Sequence, residues 1–184
     1  MDAAARLIVE QGFLPLPIER LARTAGTSKA LIYTYFPTQY DIFNSLLQRE
    51  LTALTIAGLD TASSVKDLDQ AVLLCSMLYF EHVAQSGPLL HILITDLYMS
   101  GNIDRQITRA GEVMLDRLTR TARHALSVST KEVMAALEMI AVVPQNAGSL
   151  VFYKEIEPAV ARQVCHTLVL SCLTTLRSVN GSTA

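Results

Sequence analysis

The chain has 184 residues and a formal net charge of −2. At roughly 150 residues per domain, this length predicts one compact domain, or a small domain joined to a larger one. Hydrophobic residues make up 51% of the chain and charged residues 17%, a composition that excludes a disordered protein. The net charge excludes a surface that is basic throughout, so any contact with DNA must come from a local face.

The apolar surplus gives a mean hydropathy of +0.33 and raises the question of a membrane span. Stretches free of Asp, Glu, Lys and Arg stay shorter than the roughly 18 residues of a span, and the longest, 139–153, contains Pro144. We therefore expect a subunit interface or a ligand cavity to bury the surplus. Since Met1 and Asp2 lead directly into a helical pattern unlike a secretory leader, we also expect a cytoplasmic protein.

The cysteines are Cys75, Cys165 and Cys172, and they form no Cys-x-x-Cys pair. This pattern predicts neither a disulfide framework nor a zinc site, and no other metal or cofactor is expected. We interpret the three as small buried hydrophobic residues, with a redox role as the alternative.

Helical periodicity runs through almost the whole sequence and predicts an all-α fold of about nine helices. Ser28 is placed to cap one helix, and two capping boxes, Thr38 with Asp41 and Ser129 with Glu132, open two others. The predicted helices cover about residues 2–11, 18–25, 29–35, 38–57, 63–86, 88–99, 104–126, 129–155 and 158–179.

Helix length divides the chain into residues 1–37, with three short helices, and residues 38–184, with longer ones. This division predicts a small N-terminal head on a larger helical bundle. Within the head, helix 18–25, a turn at Gly26 and helix 29–35 have the spacing of a helix-turn-helix. The spacing also predicts a buried seam between the two helices, formed by Leu21, Ala22, Ala25 and Ile32.

The run Ala25-Gly-Thr-Ser-Lys-Ala-Leu-Ile-Tyr-Thr-Tyr-Phe36-Pro-Thr, preceded by Gly12-Phe13 and by Ile18-Glu-Arg-Leu-Ala22, resembles the signature of the TetR family of transcriptional regulators. The resemblance covers about the first fifty residues, and the rest is similar only in length and helix pattern. It implies a DNA-binding domain at 1–37 and an effector-binding and dimerisation domain at 38–184. It also implies a ligand-responsive repressor that binds a palindromic operator as a homodimer.

The resemblance implies a DNA-contacting role for residues in and around the second helix of the motif. Ser28 would cap this recognition helix and touch a phosphate, and Tyr33 would bring its hydroxyl to the backbone. Lys29 would donate to a guanine edge. The implied DNA-binding residues are Arg23, Thr27, Ser28, Lys29, Ala30, Leu31, Tyr33, Thr34 and Tyr35.

Four departures from the family pattern reduce the expected contribution of phosphate contacts to DNA binding. The sequence begins at Met1-Asp2, so the basic segment that the family has before its first helix is missing or the start site is misplaced. Leu16-Pro17 stands where the family has a Ser or Thr cap. Gln39 replaces a lysine, and Ala30 replaces a glycine. Because five basic and five acidic residues balance in 1–50, we expect weak non-specific DNA binding with a shallow salt dependence.

The last two helices carry apolar stripes that predict a dimer interface. Two such helices from each subunit would form a four-helix bundle and present two heads to a palindrome. An intrachain core is the alternative for the same stripes, and Pro144 should kink the first of the two helices. The predicted interface residues are Ala141, Gly148, Val151, Cys165, Leu168, Cys172 and Leu176.

Large and adaptable side chains between residues 77 and 114 predict an effector site for a small apolar or aromatic ligand. The candidate lining residues are Met77, Phe80, His91, Tyr98 and Met114. For each of them, a place in the core is the competing interpretation.

Enzyme motifs are absent from the sequence. No glutamate lies three residues before a histidine, as di-iron carboxylate proteins need, and no His-Glu-x-x-His, Walker or dinucleotide glycine motif occurs. We therefore expect a protein that is not an enzyme. Two alternatives to a repressor stay open, a ligand-binding bundle with a weakened or vestigial head and an enzyme without a sequence signature.

Overall fold

The structure, a computed structural model, describes residues 1–126 and 129–181, the side chains of Ala110, Leu126 and 179–181 excepted. The described residues form ten α-helices and one short 3₁₀-helix and contain no strand, which confirms the predicted all-α class. The helices are α1 (Asp2–Gln11), α2 (Ile18–Thr24), α3 (Lys29–Tyr35), α4 (Gln39–Ile56), α5 (Leu59–Ser63), α6 (Leu68–Ser86), α7 (Leu89–Thr95), the 3₁₀-helix (Leu97–Met99), α8 (Arg105–Leu126), α9 (Thr130–Phe152) and α10 (Pro158–Gly181).

Local capping signals place the N-terminal helices where the sequence predicts them. Gly12 ends α1 in the left-handed conformation with φ 80°, which glycine adopts without steric cost. The Ser28 hydroxyl accepts a hydrogen bond from the Leu31 amide at 3.1 Å and so caps α3. Thr38 and Asp41 form the predicted capping box, with the Thr38 amide donating to Asp41 Oδ2 at 2.7 Å.

The later helices differ from the prediction at two points. Residues 59–63 form a separate helix, α5, because α6 begins only after Asp67, whose carboxylate accepts from the Gln70 amide. The helix predicted over 88–99 breaks after Thr95, where the Asp96 side chain caps the 3₁₀-helix by accepting from the Tyr98 amide at 2.9 Å. The predicted capping box at the start of α9 is present.

The chain packs as two compact units. The first, here called the head unit, contains Met1–Ala53 together with Pro88–Arg109. The second, the bundle unit, contains Leu54–Gly87 and the described residues from 110 onward. The functional boundary between residues 37 and 38 stays a prediction, whereas the packing of the head takes in most of α4 and a segment from the middle of the chain.

Segment 88–109 is tied into the head unit by polar and aromatic contacts. The Leu14 amide donates to Asp96 Oδ2 at 2.8 Å. The Asn44 side chain donates to the carbonyl oxygen of Asn102 at 3.0 Å and accepts from the Asp104 amide, also at 3.0 Å. The largest fully buried side chains of this unit are Ile8, Leu16, Ile42, Phe43, Leu46, Leu47, Leu89, Leu93 and Met99.

In the bundle unit, α6, α9 and α10 pack on one another around an apolar core. At Gly148, α9 lies very close to α6. A Cβ atom at this position would lie 2.7 Å from Val83 Cβ and 2.8 Å from the Phe80 carbonyl oxygen of α6. Only glycine therefore fits here, and its missing side chain sets the distance between the two helices.

Candidate nucleic-acid interface and bundle sites

The helix-turn-helix forms as predicted from α2, a turn at Gly26 with φ 63°, and α3. Leu21, Ala22 and Ile32 are buried between the helices, as the spacing predicts. Ala25 was expected in the same seam, but it is exposed because α2 ends at Thr24 and Ala25 already belongs to the turn. The turn itself is held by the Thr27 amide, which donates to the Ala22 carbonyl oxygen at 3.0 Å.

The exposed face of α3 has small residues at its centre. Ile32 is the only buried residue of this helix, and the helical rotation of about 100° per residue places Ala30 and Thr34 opposite it. The two edges of this face carry Lys29 with Tyr33 on one side and Leu31 with Tyr35 on the other, all four exposed. A helix with small residues at its centre and larger ones at its edges can lie deep in a groove.

The other predicted DNA-binding residues have different surroundings. Arg23 is exposed in the last turn of α2, whereas Thr27 is half-buried in the turn. The Ser28 hydroxyl already accepts from the Leu31 amide as the cap of α3, which leaves its proton free to be donated.

A carboxylate that the sequence analysis did not single out faces the recognition helix. The Lys29 ammonium group donates to Glu19 of α2 in an exposed ion pair. This hydrogen bond is the main cause that lowers the pKa of Glu19 below its ordinary value, so the carboxylate stays charged. The two residues are ten apart in different helices, and no periodicity within one helix could have revealed the pair.

Other basic residues of the head are also paired. Arg20 of α2 lies 2.9 Å from Glu10 of α1. Arg49 of α4 lies 2.7 Å from Asp2 and 3.0 Å from the buried Glu50. Three of the five basic residues in 1–50 thus have a carboxylate partner within the head, which reduces the positive charge that a phosphate would meet.

Two of the departures from the family pattern have a structural role. Gln39, the first residue of α4, accepts a hydrogen bond from the buried Leu16 amide at 3.0 Å. Pro17 precedes α2 without any side-chain cap. Neither the Leu16 amide nor a hydroxyl at this helix start is therefore available to a phosphate.

Two predicted effector residues belong to the head unit. Tyr98 stacks on Tyr40 of α4 with ring centroids 5.0 Å apart and meets the edge of Phe43 at 6.0 Å. Burial, and secondarily the Tyr40 hydroxyl, raise the pKa of Tyr98 above its ordinary value. His91 is exposed on α7. Tyr98 therefore packs within the head unit, and its role in effector binding stays a prediction.

The remaining three candidates lie in the bundle unit. Phe80 is 1% exposed, and its ring lies 5.7 Å from the guanidinium carbon of Arg162. Met77 and Met114 are half-buried against the apolar core. The burial of Phe80 favours the core interpretation for this residue, and the effector-binding role of all three stays a prediction.

The bundle unit does contain an apolar cavity, of about 170 Å³, formed by α6, α8, α9 and α10. Its only charged lining residue is Glu132, whose carboxylate accepts hydrogen bonds from Ser129 in the capping box of α9. None of the five predicted effector residues lines this cavity. Its walls consist of Leu68, Val72, Ala122, Glu132, Val133, Ala136, Leu137, Ile140, Leu173 and Leu176.

The predicted dimer residues divide between the core and the surface of the bundle unit. Cys165 is fully buried and Gly148 lies against α6, so both face the core of their own unit. Val151, Cys172 and Leu176 are partly buried against the same core. Only Ala141 and Leu168 are exposed, and the side chain of Val179, in the same stripe, lies outside the description.

A second set of apolar side chains on α9 and α10 is exposed. We call it the apolar ridge, and it consists of Met139, Val142 and Leu150 on α9 and Val160, Val164 and Leu168 on α10. By helical rotation Val142 lies opposite the buried residues of α9, whereas Met139 and Leu150 lie at the side of the buried face. By length and composition alone, α9 and residues 158–178 of α10 would suffice to cross a membrane, which is weak evidence for a span. Their most apolar windows are 28% and 22% buried.

Burial also changes the chemistry of three groups in the bundle unit. It raises the pKa of Cys75 and of Cys165 to about 11, and that of Tyr79 to about 12. The two thiols are therefore protonated at neutral pH and poor nucleophiles. This agrees with their interpretation as small core residues.

A helix-turn-helix with an exposed recognition helix, on an all-helical chain, defines a DNA-binding protein of the helix-turn-helix class. Residues 1–46 match the family model of bacterial regulatory proteins, tetR family. The match covers a quarter of the chain, so its N-terminal segment is similar to that family.

One curated relative is similar in sequence, and solved structures are similar in fold. The chain is 25% identical over 128 residues to the HTH-type transcriptional regulator SrpR of Pseudomonas putida, a match that covers 69% of this chain but only 59% of that regulator. Its fold is similar to that of the fatty acid degradation regulator FadR of Bacillus halodurans, with a TM-score of 0.65, 18% identity and coverage of 92% and 95% of the two chains. It is also similar to FadR of Bacillus subtilis in complex with stearoyl-CoA, with a TM-score of 0.66, 20% identity and coverage of 93% and 96%.

Proposed function

We propose that the protein is a cytoplasmic transcriptional repressor that binds a palindromic operator as a homodimer and is released by a small apolar effector. The observation that carries this proposal is the exposed face of α3 in a helix-turn-helix that matches the family model. Nothing in the proposal requires catalysis, and we assign the protein no enzymatic activity.

On DNA, the centre and edges of α3 have different roles. Ala30 and Thr34 enter the major groove, and Lys29 donates to a guanine edge. Tyr33 and Tyr35, on opposite edges, contact the phosphates on the two sides of the groove. Leu31 meets a thymine methyl group, and Arg23, Thr27 and Ser28 contact the backbone at the start of the helix.

The homodimer forms through the apolar ridge of α9 and α10. Soluble proteins seldom leave so many large apolar side chains exposed on two neighbouring helices. Pairing the ridge with a second copy would build a four-helix bundle from α9 and α10 of both subunits. This ridge replaces the core-facing residues Cys165 and Gly148 as the proposed contact.

The effector binds in the apolar cavity of the bundle unit. Its volume of about 170 Å³ is close to that of engineered cavities that hold benzene. A longer acyl chain, such as that of the stearoyl-CoA bound by FadR of Bacillus subtilis, would need the helices to separate further. The effector acts by shifting α4, which runs from the head unit into the bundle unit, by no more than its differential affinity for the two states allows.

A second candidate function is a ligand-binding bundle whose head binds DNA only weakly. The ion pairs of Lys29, Arg20 and Arg49 favour it, because they neutralise three of the five basic residues in 1–50. The two functions differ in a single measurable property, the selective binding of DNA.

Fluorescence anisotropy tests the proposal. Purified protein is titrated against labelled DNA that flanks its own gene, beside a scrambled duplex, at a low and a higher salt concentration. A repressor binds the flanking DNA selectively and more weakly as salt rises. Absence of selective binding at both salt concentrations contradicts the repressor function and favours the ligand-binding bundle.

A double variant tests the assignment of the recognition helix. Lys29→Ala with Tyr33→Phe removes a base contact and a phosphate contact on one edge of α3. We expect the affinity for the selected DNA to fall more than tenfold, since a good base contact contributes about 1–3 kcal/mol. The matched control is Gln163→Ala, an exposed residue of α10 outside the apolar ridge. Unchanged affinity of the double variant would refute the assignment.

A further inference from the structure

The head contains its own negatively charged partner for the lysine that faces DNA. Lys29 is the first residue of α3, and its ammonium group is held by Glu19 near the start of α2. Both side chains are more than half exposed, with 51% for Lys29 and 63% for Glu19. Nothing but solvent thus separates this pair from an approaching ligand.

DNA and Glu19 make the same demand on Lys29. A phosphate or a guanine edge attracts the ammonium group as the carboxylate does. Because the three N–H donors of lysine share one compact ammonium group, the two partners compete for the same charge. When Lys29 turns to DNA, the Glu19 carboxylate loses its hydrogen-bonded partner and keeps only the weaker attraction of Arg23, so more of its negative charge is left to repel the phosphates. Both consequences oppose binding.

We propose that Glu19 is a positioning residue that competes with DNA for Lys29 and thereby lowers the affinity and the salt dependence of binding. The inference rests on the proposed DNA-binding function. Because Lys29 is held in an internal ion pair, the protein binds DNA with a smaller free energy. An effector that binds weakly can then release the protein from DNA, since it has less binding free energy to overcome.

The test replaces Glu19 with Gln, which keeps the size and polarity of the side chain and removes its charge. The probe is a fluorescent mixed-sequence DNA duplex, so the operator need not be known. We expect Glu19→Gln to raise the affinity for DNA about two- to five-fold, because this factor corresponds to the interaction free energy of an exposed ion pair. The slope of log affinity against log salt should steepen by about one phosphate contact.

Glu10→Gln is the matched control, since it removes the same charge from the head but releases Arg20 of α2 rather than the lysine of α3. The Glu19→Gln change is then repeated in a Lys29→Ala background. If Glu19 acts through Lys29, its effect on affinity and slope disappears there. Equal effects of Glu19→Gln and Glu10→Gln, or an effect that persists without Lys29, would overturn the inference.

A carboxyl-carbon NMR titration of Glu19 tests the pair without DNA. Lys29 lowers the pKa of Glu19, so Lys29→Ala should raise it towards its ordinary value, and an unchanged pKa overturns the inference. The two proposals fail in different ways. If neither the unaltered protein nor any variant binds DNA, the repressor function fails, whereas binding that is insensitive to Glu19 contradicts only the competition.

Discussion

The head unit and the bundle unit use helices for opposite purposes. In the head, the candidate functional residues are neighbours in the sequence, lie exposed on α3, and are held by a serine cap and surface ion pairs. In the bundle, the candidate cavity takes its walls from α6, α8, α9 and α10, with the core directly behind them. Substitutions can therefore tune the head without unfolding it, whereas in the bundle ligand binding and folding depend on the same side chains.

The largest expected difference between the two units is the loss of stability of the bundle unit at alkaline pH. The cysteines all lie in the bundle unit, and the folded pKa of Cys75 and Cys165 is about 11, above the ordinary value of 9.0. Folding therefore favours the protonated thiols, and this stabilisation is complete below pH 9 and lost as the pH rises through 11. Two pKa units correspond to about 3 kcal/mol per thiol.

Urea unfolding at a fixed protein concentration measures this loss. The midpoint should stay constant from neutral pH to about pH 8.5 and fall steeply from pH 9 to pH 11. Cys75→Ala with Cys165→Ala should flatten the fall, leaving the parts due to Tyr79 and Tyr98, whose pKa burial also raises. A fall of equal steepness in the double variant would show that the buried thiols are not its cause.

The next largest effect is expected from Gly148→Ala. The new Cβ would lie 2.8 Å from the Phe80 carbonyl oxygen, a backbone atom that cannot rotate away. We expect a loss of about 2–3 kcal/mol from overpacking, measured as the free energy of unfolding in urea. Gly111→Ala on α8 is the control, since nothing lies within 4 Å of its Cβ position and helix propensity should stabilise it by up to about 1 kcal/mol. If both variants respond alike, α6 and α9 are not in close contact.

A charge on the apolar ridge should weaken the proposed dimer. Leu168→Glu places a carboxylate at an exposed apolar position of α10, and burying it against a second copy is unfavourable. We expect the dissociation constant of the dimer to rise at least tenfold, measured by sedimentation equilibrium, and operator binding to fall with it. Gln163→Glu adds the same charge to α10 outside the ridge. Equal effects of both changes would exclude the ridge as the interface.

The smallest effect is local to the head. Ser28→Ala removes the cap of α3 and should cost about 1 kcal/mol. Amide exchange should speed up in α3 while the amides of α9 and α10 keep their protection. Ser28→Asp restores an acceptor and should recover the protection of α3. Equal acceleration in the bundle helices would mean that the two units do not respond separately.

The helices of the head could be predicted almost residue by residue because their signals are local. The left-handed glycine at 12, the cap at Ser28 and the box of Thr38 with Asp41 each act within one turn of helix. The break of the helix predicted over 88–99 was missed because its cause is in part distant. Besides capping the 3₁₀-helix, the Asp96 carboxylate accepts from Leu14, eighty-two positions earlier.

The sites in the bundle were less predictable because α9 and α10 are apolar on more than one side. A stripe containing Cys165 and a stripe containing Val164 look alike in the sequence, yet one is buried and the other exposed. Periodicity identifies a face but not its partner. Tyr98 was assigned to the bundle for a similar reason, since nothing near it in the sequence indicates Tyr40 as the ring on which it stacks.

The closure of the head by segment 88–109 bears on how regulators of this kind can be recombined. Residues 1–46, which match the family model, do not contain the carboxylate of Asp96 or the ring of Tyr98. A hybrid that transplants only this N-terminal stretch onto a foreign body would leave the Leu14 amide without its acceptor and Tyr40 without its stacking partner. The segment that would have to be exchanged is therefore discontinuous. A hybrid with a new DNA specificity requires that residues 1–53 and 88–109 be moved together.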